Sequence, residues 1–286
     1  MNPFQNKVAV VTGAGSGIGR ALALALARRG ARLALSDIGE AGLNETGALA
    51  VALGATVHLQ RLDVSDRQAF EAYAAAVVAH HGVVHQVYNN AGVALNRGIL
   101  DSSYAEYEKV LAVNLWGVIH GTKAFLPHLI ASGDGHVINV SSLNGLLAYP
   151  GLSHYCASKF AVRGFTEVLA IEMLQGGHPV AASGVYPGGI KTNITANSQV
   201  LSKSLGVPVD AERASKYDAK LLRFSADTAA EIVLDGVAKK RLRILVGSDA
   251  RMVDKLVRAL PSMVPRLVVA FSQRVHGGSA FSKISP

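Results

Sequence analysis

A tyrosine and a lysine four residues apart form the most useful chemical pair in this sequence. Tyr155 and Lys159 would share one face of a helix, because residues i and i+4 are neighbours on a helical surface. A free phenol has a pKa near 10 and is a weak base at neutral pH. An ammonium about 5 Å away, at an effective dielectric constant of about 20, would lower that pKa by roughly two units. The pair could therefore move a proton, and Ser142, just past a predicted strand, could donate a hydrogen bond to an oxygen that gains charge.

A glycine-rich turn lies near the start of the chain. Gly13, Gly17 and Gly19 follow a short apolar run with the spacing G-x-x-x-G-x-G, and Ser16 and Ile18 lie in the same turn. Glycines let backbone approach a pyrophosphate, and the N-terminus of the following helix offers free N–H groups and a partial positive charge. Tight turns alone also use such glycines. With the downstream motifs, the pattern predicts a dinucleotide at this junction.

Asp37 predicts which dinucleotide binds. It ends the second predicted strand, and a carboxylate there can accept both hydroxyls of the adenosine ribose while repelling a 2′-phosphate. Four neighbouring positions could supply a compensating cation, and none is basic: Ala14, Gly15, Ser16 and Ile38. NAD(H) is therefore expected over NADP(H). The alternative is that Asp37 only caps the next helix.

Short apolar strands alternate with helices along most of the chain. Strands are predicted at 8–11, 32–36, 55–60, 84–89, 136–140, 180–186 and 242–246, and helices at 18–29, 40–53, 66–81, 104–131, 154–175 and 226–238. This alternation predicts one α/β, doubly wound Rossmann-type domain over residues 1–247, with a seven-stranded parallel sheet and helices on both faces. Residues 193–225 lack a predicted strand and are expected to form a substrate lid.

The order of these motifs resembles the short-chain dehydrogenase/reductase family over roughly residues 5–247. The resemblance is carried by the glycine turn, by Asn89-Asn90-Ala91-Gly92, and by four residues that match the family's tetrad: Asn114, Ser142, Tyr155 and Lys159. It implies that Tyr155 is the acid/base, that Lys159 also holds the nicotinamide ribose, and that Asn114 holds a water linking Lys159 to solvent.

The same resemblance implies further contacts with NAD. Asp63 and Val64 would meet the adenine ring, and the segment of Asn90, Ala91 and Gly92 would line the adenosine ribose. Pro187 and Gly188 belong to the family's Pro-Gly segment, in which the backbone of Ile190 pairs with the carboxamide and the hydroxyl of Thr192 supports it. Plain structural turns remain the alternative for both segments.

The residues around this site predict the substrate class. Direct contacts are expected from Ser142, Asn144, Leu152 and Tyr155. The remaining walls are largely apolar: Leu143, Leu146, Leu147, Tyr149, Ile194, Leu201, Leu205 and Val207. We expect an NAD-dependent oxidoreductase for a hydrophobic secondary alcohol or ketone. The alternatives are an NADPH-dependent ketoreductase and, outside enzymology, a dinucleotide-sensing protein that binds membrane or nucleic acid.

Composition limits location and assembly. Cys156 is the only cysteine, which excludes an internal disulfide and fits a reducing cytosol. No signal peptide or transmembrane run is evident, so a cytoplasmic protein is expected. The ten histidines show no zinc-like spacing with cysteine or carboxylates, so no metal is expected. The family resemblance implies a homodimer or homotetramer packed through helices 104–131 and 154–175, which carry enough apolar residues for two faces.

The net charge of +8 lies entirely in the tail. Residues 1–238 hold 18 basic and 18 acidic residues, whereas residues 239–286 hold ten basic residues against two acidic ones. From residue 251, apolar residues recur at helical spacing, and Pro261 and Pro265 are expected to interrupt them. The extension 248–286 is therefore either a packed helix or a peripheral anchor on anionic lipid. Nucleic acid is not expected, because the tail lacks a pattern of stacking aromatics.

Overall fold

The structure is a computed structural model. It describes residues 2–191, 198, 201–202, 205 and 224–276. The predictions for Thr192, Ile194 and Val207 lie outside the described residues.

Seven parallel strands form the central sheet. They are β1 (Val8–Thr12), β2 (Arg32–Asp37), β3 (Val57–Arg61), β4 (Gln86–Asn89), β5 (Gly135–Val140), β6 (Val180–Pro187) and β9 (Arg243–Val246). Their order across the sheet is β3-β2-β1-β4-β5-β6-β9, and every neighbouring pair is parallel. The predicted doubly wound α/β fold is confirmed. Because β1 and β4 are neighbours and their crossovers diverge, a crevice opens at the carboxyl ends of the central strands.

Helices cover both faces of this sheet. They are α1 (Gly17–Arg28), α2 (Glu40–Ala52), α3 (Arg67–His81), α4 (Tyr104–Leu111), α5 (Gly117–Ala131), α6 (Ser153–Gln175), α7 (Ala226–Ala238), α8 (Ser248–Ala259) and α9 (Val264–His276). Two apolar cores result. One joins α1 and α7 to the sheet around Leu22, Leu26 and Val233, and the other joins α3 and α5 around Phe70 and Phe125. The central strands are buried on both faces, which explains their continuous apolar runs.

Several predicted boundaries differ from the structure, among them the start of the fourth strand, which is Gln86 rather than residue 84. The third strand begins at Val57 rather than at residue 55, because the N–H of Ala55 donates to the Ala50 carbonyl and closes the end of α2. The single helix predicted over 104–131 is divided into α4 and α5 by a π-helical turn, Ala112–Trp116. Such turns often occur at functional sites, and this one contains Asn114.

The predicted lid contains one unexpected strand. Phe224–Ser225 (β8) pairs in parallel with Ile190–Lys191 (β7), so the prediction that 193–225 lacks a strand is wrong at its end. A two-residue strand gives too short a pattern to be recognised from sequence. This pairing holds Phe224 and Ser225, the end of the predicted lid, beside the residues that follow β6.

The basic extension forms two helices, α8 and α9. The first begins at Ser248, three residues earlier than predicted, and packs inward through Ala250 and Asp254. The break predicted near Pro261 and Pro265 lies between the two helices, and Pro265 is the second residue of α9. In the first turn its missing N–H costs no helical hydrogen bond. Within the described residues, none of the helices has the length and apolar character needed to cross a membrane.

Candidate active site

The glycine turn joins β1 to α1 in a form that only glycine permits. Gly13 and Gly17 have φ values of +65° and +52°. A Cβ on Gly19 would lie 2.0 Å from the carbonyl oxygen of Gly13. Ser16 precedes α1 in an extended conformation, and no side chain caps the helix. The first turn of α1 thus offers backbone N–H groups to an anion, and the predicted residues Gly13, Ser16, Gly17, Ile18 and Gly19 fit a pyrophosphate.

Asn90 and Thr12 hold this turn against the end of β4. The side-chain amide of Asn90 donates to the carbonyls of Thr12 at 2.9 Å and Gly13 at 3.3 Å. The hydroxyl of Thr12 accepts from the backbone N–H groups of Asn90 and Ala91. The sequence patterns did not predict Thr12 as a site residue. The structure gives both the turn and segment 90–92 a fixed place at the crevice.

Asp37 lies against the glycine turn. One carboxylate oxygen accepts from the backbone N–H of Gly15 at 2.8 Å, and the other accepts from that of Gly39 at 2.8 Å. The residue that caps α2 is Gly39, so the alternative that Asp37 is the N-cap is wrong. A Cβ on Gly15 would lie 2.9 Å from the carboxyl carbon of Asp37. The absence of a side chain at Gly15 therefore makes room for this carboxylate.

A cation near Asp37 was missed by sequence reasoning. Arg20, on the first turn of α1, donates to the carbonyl of Gly15 at 2.7 Å and pairs with Glu45 at 2.6 Å. It also donates to Thr46. The signal was its place one residue after Gly19, because helix geometry turns that position towards α2. Arg20 ties α1 to α2, and Glu45 compensates its charge.

Asp63 and Val64 follow β3, beside the first turn of α5. Although burial raises the pKa of Asp63, hydrogen bonds from the hydroxyl and backbone N–H of Ser65 lower it below its ordinary value. Val64 is buried against Gly117, and its carbonyl pairs with the His120 ring at 3.1 Å. The structure thus leaves Asp63 ionised and half-buried, and places Val64 as a packed wall.

Tyr155, Lys159 and Ser142 come together at the carboxyl end of β5. Tyr155 and Lys159 lie on α6, and the Lys159 ammonium is 5.7 Å from the centre of the Tyr155 ring. This ammonium is 3% exposed and donates to the carbonyl of Val140 at 2.9 Å. Ser142 follows β5, and its hydroxyl accepts from the N–H of Asn144 while also bonding to the Tyr155 phenol.

The electrostatics of this group differ from the sequence expectation. Burial raises the pKa of Tyr155 above its usual value, and the hydrogen bond from Ser142 opposes that rise. Burial also lowers the pKa of Lys159 to about 8. The net shift of the phenol pKa in the chain alone is therefore upward, opposite to the contribution expected from Lys159, because desolvation disfavours both charged forms.

The side chain of Asn114 makes three hydrogen bonds to protein groups. Its amide nitrogen donates to the carbonyl of Val93 at 2.9 Å and the hydroxyl of Ser158 at 3.0 Å, and its oxygen accepts from the N–H of Val93 at 2.8 Å. A Cβ on Gly92 would lie 3.3 Å from that oxygen and 3.4 Å from the Lys159 nitrogen. Asn114 thus fixes Val93 and lies, with Lys159, against Gly92. Its amide oxygen keeps one acceptor position, so the water that the resemblance assigns to Asn114 stays a prediction.

The remaining site predictions divide into surface and interior positions. Ile190 is buried, Pro187 ends β6 and pairs with Val246 of β9, and Gly188 follows that strand. Leu146 and Leu152 are buried, whereas Asn144 and Leu147 are partly exposed. His154 packs its ring 5.2 Å from that of Tyr107. Among the described residues no group of histidine, cysteine and carboxylate side chains could hold a metal ion.

Comparisons with known proteins agree with this geometry. The family model described as short chain dehydrogenase matches residues 7–200. SadH of Mycobacterium tuberculosis, whose name describes an oxidoreductase, is 53% identical over 271 residues, covering 94% of this chain and 96% of SadH. A short-chain dehydrogenase/reductase from Burkholderia phymatum, solved with NAD, is 30% identical with a TM-score of 0.81, covering 100% of both chains. An alcohol dehydrogenase from Thermococcus sibiricus, solved with 5-hydroxy-NADP, is 28% identical with a TM-score of 0.69, covering 84% of this chain and 94% of that one.

These similarities extend over the glycine turn, the sheet and the Tyr-Lys helix. They identify an oxidoreductase that uses a nicotinamide dinucleotide and acts on CH–OH groups. The chain belongs to the short-chain dehydrogenase/reductase family.

Proposed function

We propose that the protein transfers hydride between NAD(H) and a hydrophobic secondary alcohol or ketone, with Tyr155 as the acid/base. The observation that carries this proposal is the meeting of Tyr155, Ser142 and Lys159 at the carboxyl end of β5, the same edge of the parallel sheet at which β1 leads into the uncapped first turn of α1. Fold alone would not specify a reaction. A phenol hydrogen-bonded to a serine and backed by an ammonium has the parts needed to move an alcohol proton.

Each side chain has a distinct part in oxidation. The hydroxyl of Ser142 donates to the substrate oxygen and stabilises the charge that develops there. Tyr155 takes the hydroxyl proton, and Lys159 stabilises the resulting phenolate through its positive charge. When bound, the nicotinamide ring accepts the hydride, and its positive charge further favours the phenolate. Asn114 holds the backbone of Val93, and thereby positions the neighbouring Gly92 beside Lys159.

Asp37 supports NAD(H) as the preferred cofactor. Its carboxylate is fixed beside Gly15, where it can accept ribose hydroxyls and would repel a 2′-phosphate. The alternative, an NADPH-dependent ketoreductase, is favoured by one observation, the Arg20 guanidinium near the same turn. Glu45 already pairs with this cation and compensates its charge. The carboxylate of Asp37 therefore remains as the net negative charge beside the turn.

The substrate proposal depends on the wall near Ser142. Leu143 and Leu147 are partly exposed there, with buried Leu146 and Leu152 behind them. Apolar walls favour substrates that lose little hydration on binding, such as hydrophobic secondary alcohols. Mixing the purified protein with NAD⁺ and secondary alcohols of increasing hydrocarbon content, while recording absorbance of the reduced ring, tests this proposal. Turnover should rise with apolar size, and turnover confined to phosphorylated sugars would contradict it.

We propose a homodimer or homotetramer that uses the outer face of α6. Phe160, Val168 and Ile171 lie on one exposed face of this helix, around Gly164, which leaves open space above it. An exposed apolar helix face of this kind favours association of two copies. Ile171→Glu should shift sedimentation at micromolar concentration towards smaller species, whereas a monomeric wild-type protein would contradict the proposal.

We further propose that the basic extension contacts an anionic membrane surface. Leu267 and Phe271 on α9, with Met263 just before this helix, form a stripe at helical spacing, each 40–52% exposed, and Arg274 continues it. The two carboxylates of α8 bind Gly189, Arg243 and Arg258, and neither of them pairs with the exposed Arg251 or Lys255 among the described contacts. Apolar side chains beside cations suit an interface of acyl chains and anionic head groups.

Liposome sedimentation tests this contact. The full chain should sediment with vesicles containing phosphatidylserine at low salt and remain in solution with neutral phosphatidylcholine vesicles. The double variant Leu267→Glu/Phe271→Glu should lose the binding while retaining NADH binding. A wild-type chain that stays in the supernatant with both vesicles would leave packing against the protein as the better account of the stripe.

A further inference from the structure

The first carboxylate of the extension reaches back into the predicted nicotinamide end of the site. One oxygen of Asp249 accepts from the backbone N–H of Gly189 at 2.8 Å, and the other accepts from the N–H of Ala250 at 2.8 Å. Gly189 lies between β6 and β7, within the Pro-Gly segment. A residue outside the matched family segment, residues 7–200, therefore binds the backbone that the resemblance assigns to the carboxamide.

Two glycines leave the space that this carboxylate fills. A Cβ on Gly188 would lie 2.2 Å from both carboxylate oxygens of Asp249, and one on Gly247 would lie 2.3 Å from the nearer oxygen. Gly247 also has a φ of +106°, which L side chains rarely adopt. The glycines that directly follow β6 and β9 thus leave space for the carboxylate of Asp249.

Three hydrogen bonds to backbone groups hold the segment of Gly188 and Gly189 beside Asp249. The N–H of Gly188 donates to the carbonyl of Val246 at 2.9 Å, and the carbonyl of Gly189 accepts from the N–H of Phe224 at 3.2 Å. Asp249 supplies the remaining partner, for the N–H of Gly189. Two consecutive glycines have unusual backbone freedom, so removing one of three restraints would let this segment reorient.

We propose that Asp249 is a positioning residue for the nicotinamide half of the cofactor. It fixes Gly188 and Gly189, and through them the backbone of Ile190 that would pair with the carboxamide. The ring is then presented to Tyr155 with one orientation. This inference rests on the proposed NAD(H) function, and it makes the extension part of the cofactor site rather than an appendage.

The extension supplies its own control residue. Asp254, five residues later on α8, pairs with Arg243 at 2.7 Å and Arg258 at 3.6 Å. It anchors the same helix to the sheet without contacting segment 187–190 in these pairs. A general loosening of α8 would follow from either substitution, whereas a selective loss at the nicotinamide end would follow only from Asp249.

Binding of NADH and of ADP-ribose, which lacks the nicotinamide ring, separates these effects in calorimetry. Asp249→Ala should weaken NADH at least fivefold and leave ADP-ribose unchanged, and Asp249→Asn should recover part of the loss by keeping one acceptor oxygen. Asp254→Ala should leave the ratio of the two affinities at its wild-type value. An unchanged ratio in Asp249→Ala would overturn the proposal.

A second variant keeps the test independent of folding in the first. Gly188→Ala places a methyl group where the carboxylate lies, so it must displace Asp249 and should cause the same selective loss of NADH affinity. A wild-type ratio in this variant would also overturn the proposal. If the unaltered chain binds neither NADH nor ADP-ribose, the proposed NAD(H) function itself is wrong, which is a distinguishable result.

Discussion

The Lys159 ammonium lies 5.7 Å from the Tyr155 ring, but its hydrogen bond goes to the main-chain carbonyl of Val140. The protein therefore holds a cation below the phenol in a position where burial opposes its charge and lowers its pKa to about 8. No carboxylate forms an ion pair with Lys159 among the described contacts. This arrangement favours catalysis at a cost in folding stability.

Replacing Lys159 with methionine should stabilise the protein and abolish turnover. A lysine pKa lowered from 10.5 to about 8 corresponds to a burial penalty of about 3 kcal/mol below pH 8, where both folded and unfolded chains are protonated. Loss of the hydrogen bond to Val140 would destabilise the folded chain by about 1–2 kcal/mol and so offset part of this gain. The free energy of unfolding at pH 7, measured in urea, should rise by about 1–2 kcal/mol.

The pH dependence of stability distinguishes removal of the buried charge from better packing of the methionine side chain. The unfolded chain binds the Lys159 proton more tightly than the folded chain, so stability of the wild type should rise with pH between about 8 and 10.5. Lys159→Met should remove that rise. A variant less stable than the wild type at pH 7 would show that the hydrogen bond outweighs the burial penalty.

Tyr155→Phe should reduce turnover to background while NADH affinity stays within about twofold, since only the transferable proton is lost. Tyr104→Phe, at an exposed phenol on α4, is the matched control and should retain full activity. Steady-state oxidation kinetics and calorimetry measure both quantities. An active Tyr155→Phe enzyme would refute the role of the phenol.

Ser142→Ala should move the pH profile of oxidation to higher pH. Burial raises the Tyr155 pKa, and the hydrogen bond from Ser142 lowers it, so removing the hydroxyl leaves burial unopposed. Oxidation needs the deprotonated phenol, so its rate should rise with pH and the rising limb should shift upward in this variant. If the variant oxidises more slowly but its rising limb stays at the wild-type pH, Ser142 acts on the substrate oxygen alone.

Asp37→Ala should narrow the cofactor preference. The wild type should bind NADH at least tenfold better than NADPH, a difference of at least about 1.4 kcal/mol, because the fixed carboxylate repels the 2′-phosphate. Glu45→Gln, which leaves Asp37 in place and releases Arg20 from its ion pair, provides a comparison. Equal affinities for both cofactors in the wild type would contradict this prediction.

Much of this architecture could be predicted from local sequence patterns. The alternation of apolar strands and helices predicted seven parallel strands, because each strand buried on both faces needs a continuous apolar run. The i, i+4 spacing of Tyr155 and Lys159 predicted a shared helix face, and the structure places them together. Short-range geometry suffices for features of this kind.

Other features depend on contacts between distant segments. The π-helical turn at Asn114 reflects its bonds to Val93, 21 residues away, and no local propensity encodes that partnership. The contact of Asp249 with Gly189 spans 60 residues. The net shift of the phenol pKa is opposite to the contribution expected from Lys159, because sequence supplies the charge of Lys159 but not the burial of Tyr155. Desolvation becomes known only when the fold surrounds the group.

The buried His136 should make the protein unstable in mild acid. Its Nε2 lies 2.7 Å from the Ser183 hydroxyl, which donates to the carbonyl of Arg241, so the histidine must donate as a neutral ring. Burial is the main cause that lowers its pKa to about 4.

The unfolded chain protonates His136 near pH 6.5, whereas the folded chain does so only near pH 4, so unfolding takes up a proton between these values. The free energy of unfolding should therefore fall as pH drops through this window, by about 2–3 kcal/mol from His136. His136→Gln keeps a donor for Ser183 and cannot titrate, so its urea midpoint should fall less between pH 6.5 and 4.5 than that of the wild type. His178→Gln, at an exposed position, should follow the wild-type curve. Parallel curves for all three proteins would assign the acid sensitivity to other groups.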